Sequence, residues 1–395
     1  MGEPGRAAFY SDRACSPRQT LDRLRPHFAS LGITRLARQT GLDTVGIPCF
    51  SAIRPNAKTL AVSQGKGLDD DAAMVSAAME AAELAIAERE IPVAWIGSAT
   101  ELDAMDAAWF DPTRLLPFAD EFDRDRRIGW VVGKQLFSHR PVLVPRDAVR
   151  LDGTNRDLPG ISQNTNGLAS GNSRTEAEFH ALCELVERDA TTNWWLLPAD
   201  KQDARAFPSA SLDNAAVTDL RARIERAGLK LVLFDLTTDT GTPTVLALVG
   251  PAHGGRYFDI AAGFGTHPIA ARAAVKAITE AAQSRVTAIA GSRDDIAVGE
   301  YDEAPDEAVA RLFAAPVVAA PPRGLPDDSA VADGLSFMSD GLVAARVAQP
   351  VSVPLGGDTY GISVVRLLSQ DLEDRDANTN WRPGPRAISI LLGAA

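Results

Sequence analysis

Three short segments of the chain carry glutamates at helical spacing. SAAMEAAE begins at Ser76 and contains Glu80 and Glu83, HALCELVE begins at His180 and contains Glu184 and Glu187, and KAITEAAQ begins at Lys276 and contains Glu280 and Gln283. In each, a polar residue is followed by alanine, by a glutamate four positions on, and by Glu or Gln three further. Spacing of i, i+4, i+7 puts the three polar positions on one narrow stripe of a helix, because each residue advances about 100°. If the stripes converge, five carboxylates (Glu80, Glu83, Glu184, Glu187, Glu280) meet the cation Lys276. Such a cluster repels itself and raises its own pKa values unless divalent cations occupy it. Hard oxygen ligands of this sort suit Mg2+, which binds a few carboxylates together with substrate phosphates. The pattern therefore points to a Mg2+-nucleotide site. The plainer alternative is three solvated faces of amphipathic helices. A solvated face usually mixes Lys or Arg with Glu, whereas the first stripe has no base at all and the second only a histidine.

Each helix follows a glycine-bearing segment: SQGKG at 63–67, GLASGN at 167–172 and AGFGTH at 262–267. That is the syntax of a turn feeding a helix N-terminus. GKG would let Lys66 and backbone amides approach phosphates, although it is equally the composition of a bare turn. Neither GxxxxGK[ST] nor a GxGxxG after a strand is present.

These helices must be placed by a folded scaffold, and the composition supplies one. The chain has 395 residues, 45% of them hydrophobic, enough for a sizeable core. Its net charge is −12 and its basic residues are scattered, which excludes a nucleic-acid-binding role. No apolar run reaches the roughly 18 to 20 residues that span a bilayer, and the start lacks a signal-peptide core. A cytoplasmic location without membrane contact is expected. Cys15, Cys49 and Cys183 fit neither a disulfide framework nor a zinc spacing, and are read as reduced thiols. Cys183 falls on a different side of its helix from the acidic stripe, as a core residue would.

Strand-like runs are expected at 92–98, 128–137, 141–145, 229–237, 243–250, 257–265, 341–348 and 360–368. Helical patterns alternate with them at roughly 70–90, 173–193, 211–227, 268–290 and 302–314. The Ala/Pro-rich stretch 315–328 reads as an exposed connection. Before all of these lies a segment mixing Arg, Pro, Ser and Asp, with a short helix near 18–29.

Four spaced blocks resemble, in order, those of the YcaO family: GITRLARQTGLDTVGIP, RPNAKTLAVSQGKG with SAAMEAAE, NGLASGNSRTEAEFHALCELVERDA, and AITEAAQSR followed by GSRDD. The opening block is most similar to stand-alone YcaO proteins that work with a TfuA partner. The resemblance implies an α/β fold of the α+β kind, with mixed or antiparallel sheets and three pseudo-repeated acidic helices around an ATP site. It divides the chain into an arm with a short helix (1–31) and a YcaO domain (32–395). It implies ATP- and Mg2+-dependent phosphorylation of a backbone amide oxygen in a peptide or protein, with the nucleophile deciding the product. By position, the resemblance places Lys66, Ser76, Glu80, Glu83, Glu184, Glu187, Glu280 and Gln283 at the nucleotide, and the stripe residues His180 and Lys276 with Arg285 complete the expected nucleotide-binding set. The Mg2+ ligands would be Glu80, Glu83, Glu184, Glu187 and Glu280. His180 is open between a nucleotide contact and a helix-packing histidine. Arg285 and the turn Arg293-Asp294-Asp295 are candidates for phosphoryl support or equally for surface ion pairs. No residue is assigned as general base.

Azoline-forming members commonly end in PxPxP, whereas this chain ends WRPGPRAISILLGAA, with only Pro383 and Pro385 in that register. That departure favours thioamide formation with sulfide and a TfuA-like partner. A cyclodehydratase making azolines or amidines is the alternative, and a catalytically inert peptide-docking subunit is a second. A homodimer is compatible with this reading.

Overall fold

The computed structural model describes residues 13–117, 120–252, 259–291 and 306–393. The chain begins with α1 (Pro17–Leu24), then β1 (Arg35–Arg38), β2 (Cys49–Ile53), β3 (Val62–Lys66) and α2 (Asp70–Ala87). Next come β4 (Trp95–Gly97), α3 (Ala99–Ala104), β5 (Ile128–Gln135), β6 (Pro141–Pro145), β7 (Leu168–Gly171) and α4 (Arg174–Leu196). A third stretch holds α5 (Ala199–Asp203), β8 (Ala206–Phe207), α6 (Ala215–Arg226), β9 (Leu229–Asp235), β10 (Thr244–Pro251), β11 (Ala261–Thr266) and α7 (Ala270–Ala290). The chain closes with α8 (Glu307–Phe313), α9 (Val331–Ala344), β12 (Val351–Gly356), β13 (Ser363–Leu368) and α10 (Pro385–Leu391). The strands form three antiparallel sheets, ordered β1-β2-β3, β4-β5-β12-β13-β7 with β6 on β5, and β11-β10-β9-β8.

β3, β7 and β11 are each the edge strand of their sheet, and each runs through two or three residues into a long helix, α2, α4 or α7. The seat between strand and helix has the same chemistry three times. A Cβ on Gly65 would lie 2.1 Å from the Ala77 nitrogen, one on Gly171 2.5 Å from the Ala177 nitrogen, and one on Gly263 2.2 Å from the Ala281 nitrogen. The helices answer with alanine: Ala73, Ala77 and Ala81 in α2, and Ala273, Ala277 and Ala281 in α7, are all fully buried. With no side chain between them, backbone rests on backbone. Each helix also touches the glycine strand of the next unit, α2 meeting β7, α4 meeting β11 and α7 meeting β3, so the three units close into a ring.

The glycine segments that read as turns are thus largely strands, and Gly167, at φ +73°, is a turn residue proper. Caps start two of the helices: Asp69 accepts from the Ala72 amide at 2.8 Å and Ser173 from the Glu176 amide at 3.1 Å. The short helix of the leading segment is α1, and its Leu21 and Leu24 are buried in one cluster with Ala73, Ala77 and Ala81. Residues 315–328 carry no helix or strand.

One expected strand is a helix end. Residues 341–344 belong to α9, and the strand lies further on at Val351–Gly356. Met338 and Leu342, four apart, are buried while Val343 is 71% exposed, which is helical periodicity that the apolar run GLVAARVA hides. Part of the helix expected at 302–314 lies outside the described residues, and the remainder is α8.

Gly65→Ala and Gly263→Ala should each destabilise the fold by about 2–4 kcal/mol, because an added methyl meets backbone that cannot step aside. Gly228→Ala, at φ +75° with nothing within 4 Å, should cost only about 1 kcal/mol. Urea midpoints of the three variants check the ranking.

Candidate active site

The ring of helices encloses a cleft of about 1140 Å³. Its walls are Ser76, Glu80 and Glu83 from α2, His180, Glu184 and Glu187 from α4, Lys276, Glu280 and Gln283 from α7, and Lys66 from the end of β3. All three stripes therefore turn inward. Arg285 does not join them: its guanidinium is held by the Asp43 carboxylate at 3.0 and 3.2 Å and by the Asp259 carbonyl at 3.0 Å. That pairing fixes α7 to the loop before β2, which is the ion-pair alternative for Arg285, and Arg285 is not among the residues that line the cleft. Arg293, Asp294 and Asp295 lie outside the described residues. Cys183 is buried, 3.9 Å from the Met338 sulfur, and does not line the cleft.

Carboxylates meet across the junctions between helices. Glu83 faces Glu184 and takes hydrogen bonds from the Ser170 hydroxyl and amide of β7; burial, and then the Glu184 charge, hold its pKa well above the carboxylate range. Burial pushes Glu184 from 4.5 up to about 7, against the pull of Arg188, whose Nη2 stands 3.9 Å away. Glu187 is raised as well, by burial and by Glu280, and its Oε2 is buried with no hydrogen-bond partner among the described residues. Glu280 goes the other way. Burial raises it, but Lys66 Nζ donates to its Oε2 at 2.7 Å and the Phe264 amide to its Oε1 at 3.1 Å, and together these depress it. Burial pulls the Lys66 ammonium down, yet Glu280, Glu187 and Glu80 outweigh that and raise it.

His180 occupies an intermediate place. Its Nδ1 lies 3.2 Å from the Ser170 carbonyl and 3.2 Å from the Arg13 guanidinium, contacts that call for opposite tautomers. Arg13, which also donates to the buried Glu176 at 3.1 Å, comes from the leading segment and lines the cleft. Arg188 lines it too, and was signalled by its i+4 spacing from Glu184. Arg366 sits behind the Glu83/Glu184 pair. It is buried in β13, donates to the Asn164 carbonyl at 2.6 Å and side-chain oxygen at 3.0 Å, and has its pKa lowered to about 10 by burial. A lone arginine within SVVRLL was its signal in the sequence.

Among the described residues no three His, Cys, Asp or Glu side chains form a closed metal cage. Paired carboxylates with an unpartnered buried oxygen leave coordination positions for phosphate oxygens and water, which is the manner in which Mg2+ is held beside nucleotides. The donor set fits a Mg2+-nucleotide complex.

Fold and cleft together define a mixed α/β protein with a ring of acidic helices. The pattern of the YcaO family, described as YcaO cyclodehydratase, ATP- and Mg2+-binding, matches residues 64–373, and the chain belongs to that family. A protein of Rhizobium leguminosarum bv. trifolii, uncharacterized and encoded in a tfuA 3′ region, is 39% identical over 98% of this chain and 94% of its own. An uncharacterized protein of Methanothermobacter thermautotrophicus is 36% identical over 73% of this chain and 74% of its own. Among solved structures, YcaO from Methanopyrus kandleri bound with AMPPCP and Mg2+ superposes with a TM-score of 0.70 at 22% identity, covering 94% of this chain and 96% of that one. A heterocyclase in complex with substrate and cofactor gives 0.75 at 19% identity over 98% of this chain, which spans 56% of the heterocyclase's length. The family is one of ATP-dependent, cyclodehydratase-type enzymes that bind Mg2+. No helix among the described residues is long and apolar enough to cross a membrane.

The raised Glu184 pKa has a stability consequence. The folded protein holds this proton more tightly than the unfolded chain, so the contribution is complete below pH 4.5 and is lost as pH rises through about 7. In EDTA, Glu184→Gln should therefore be more stable than the parent at pH 8, by on the order of 1 to 3 kcal/mol, and equal to it at pH 4.5. Denaturant melts at the two pH values decide it.

Proposed function

We propose that the cleft binds Mg2+-ATP and activates a backbone amide of a peptide or protein by O-phosphorylation, and that sulfide is the nucleophile, giving a thioamide with the help of a TfuA-like partner. The observation that carries the activation step is the inward convergence of paired carboxylates, with Glu187 Oε2 buried and unpartnered, beside Lys66, Lys276 and Arg188. In this reading Glu80, Glu83, Glu184, Glu187 and Glu280 hold the metal. Mg2+, when bound, neutralises charge on the phosphoryl group being transferred. Lys66, Lys276 and Arg188 orient the phosphates; Lys276, whose Nζ donates to the Thr266 carbonyl at 3.0 Å, is directed along the strand-to-helix turn.

An amide carbonyl is a poor electrophile and its oxygen a poor leaving group. Sulfide adds to the carbonyl carbon, the amide oxygen takes the γ-phosphoryl group of ATP, and loss of phosphate leaves C=S in place of C=O with ADP released. The chain's own part is positioning and exclusion of water.

Two observations favour the thioamide. The Rhizobium relative is encoded beside tfuA. The tail is also folded away from the cleft: none of the described residues beyond Val309 lines it. The tail is pinned instead by Glu373, which accepts from Arg114 at 2.7 Å, Trp381 Nε1 at 2.9 Å and the Gly384 amide at 3.0 Å, and by Asp189, which holds Arg386 at 2.9 Å through both oxygens.

Two measurements test the reading. Incubation with candidate peptide, ATP, Mg2+ and sulfide should give a product in which one oxygen is replaced by sulfur; loss of one water instead would assign azoline or amidine formation. Glu80→Gln and Glu184→Gln should each weaken Mg2+-ATP binding by at least about tenfold, or 1.4 kcal/mol. If both bind nucleotide like the parent, the site is misassigned.

A further inference from the structure

Three helices in a ring make three junctions, and they are not alike. Two are acidic, Glu83 with Glu184 and Glu187 with Glu280. At the third, where α7 meets β3, the Glu280 carboxylate is already engaged by Lys66, and the last position of the stripe, Gln283, is an amide. There Gln283 Nε2 donates to Gln64 Oε1 at 3.4 Å, and the Thr287 hydroxyl lies 2.5 Å from that same oxygen.

Gln64 and Thr287 are both more than nine-tenths buried, and Gln64 Nε2 and Gln283 Oε1 are buried with no hydrogen-bond partner among the described residues. Amide orientation does not remove the deficit. The Thr287 hydroxyl has one proton and two acceptors in reach, Gln64 Oε1 and the Gln283 carbonyl at 2.8 Å. Satisfying both requires turning the Gln64 amide over, and Gln283 must then turn with it. The unpaired atoms become Gln64 Oε1 and Gln283 Nε2. In either arrangement the pair leaves one donor and one acceptor unused, on two touching side chains of residues that line the cleft. Along α7 the lining continues through Ser284, Thr287 and Ala288, all uncharged.

A buried donor and acceptor left open together are costly unless a ligand completes them. No cation is suited to this junction, because an amide pair adds no negative charge. We propose that Gln64 and Gln283, oriented by Thr287, form a subsite for a neutral planar edge that presents one N–H beside one acceptor. Two components of the proposed reaction carry such an edge: the amino and ring-nitrogen edge of adenine, and the N–H and C=O of one extended peptide residue, which point to the same side of the chain. The inference rests on the nucleotide-dependent amide reading and assigns its neutral partner a place.

The experiment uses the full chain and the variants Gln64→Met and Gln283→Met, which keep length and remove the amide. Thr287→Val replaces either variant that does not fold, since it removes the hydroxyl that orients both amides. Binding is measured for Mg2+-ATP and for Mg2+-tripolyphosphate. In the presence of a nonhydrolysable ATP analogue it is also measured for N-acetylglycine methylamide, by saturation-transfer NMR. A loss of about tenfold or more for ATP with tripolyphosphate unchanged places adenine at the subsite. Unchanged nucleotide binding with loss of the amide probe places the peptide there. Equal weakening of ATP and tripolyphosphate, or no change in any ligand, overturns the proposal. A parent protein that binds neither phosphate ligand overturns the nucleotide reading itself, an outcome distinct from all of these.

Discussion

Everything in this protein that resembles a site depends on backbone lying against backbone where an edge strand meets a helix. Five glutamates do not gather by attraction, so whatever brings them together must be indifferent to their charge. Glycine opposite alanine supplies that. At Gly65, Gly171 and Gly263 there is no room for even one carbon, and the atom nearest the missing Cβ is in each case a main-chain nitrogen of an alanine. Helix position is then set by the main chain, and the polar stripe, on another face of the same helix, is left to point wherever the geometry sends it. Repeating the seat three times and letting each helix touch the next strand sends all three stripes to one centre.

The consequence is a centre that is electrostatically unfinished. Lys66 neutralises Glu280, and Arg188 partly offsets Glu184 at 3.9 Å, while Arg366 contributes charge from behind without reaching a carboxylate within ion-pair distance among the described residues. Glu83, Glu184 and Glu187 keep raised pKa values in spite of these cations. Elsewhere the same chain closes its buried charges fully: Arg54 meets Glu88 at 2.5 Å with Thr59 on the same carboxylate, and Asp152 takes Lys58 and Thr154. A protein that satisfies its acids in one place and leaves them short in another concentrates the shortfall where a ligand completes it.

Much of this centre was readable in the sequence because helical spacing is a rigid rule. Ser76, Glu80 and Glu83 had to share a stripe once they were in a helix, whatever the fold. Two of the three strands that seat those helices, β3 and β7, were not readable, whereas β11 overlaps the strand expected at 257–265. VSQGK and LASG hold few β-branched residues, since glycine and serine are what the close approach demands, and so the most constrained strands carry the weakest strand signal. Arg285 was open between two roles because it lies just past the stripe: a two-residue offset turns its side chain to the far side of the helix, where Asp43 takes it. Arg366 comes from a strand distant in sequence, and only the closing of the ring brings Gln64 of β3 against Gln283 and Thr287 of α7.

The tail shows how far the site extends beyond its lining. Asp189 follows Glu187 by two positions on α4, is fully buried, and accepts both the Arg386 guanidinium and the Glu373 amide. Glu373, fully buried too, gathers Arg114, Trp381 and the amides of Gly384 and Ala387, and a Cβ on Gly384 would stand 2.5 Å from its Oε1. Two carboxylates thus tie the last helix of the chain to the helix that carries Glu184 and Glu187. Their charges are matched by Arg386 and Arg114 and do not add to the deficit in the cleft. The same residue type therefore serves opposite ends along one helix: Glu184 and Glu187 face a space left open, and Asp189, turned away from it, closes the structure behind them.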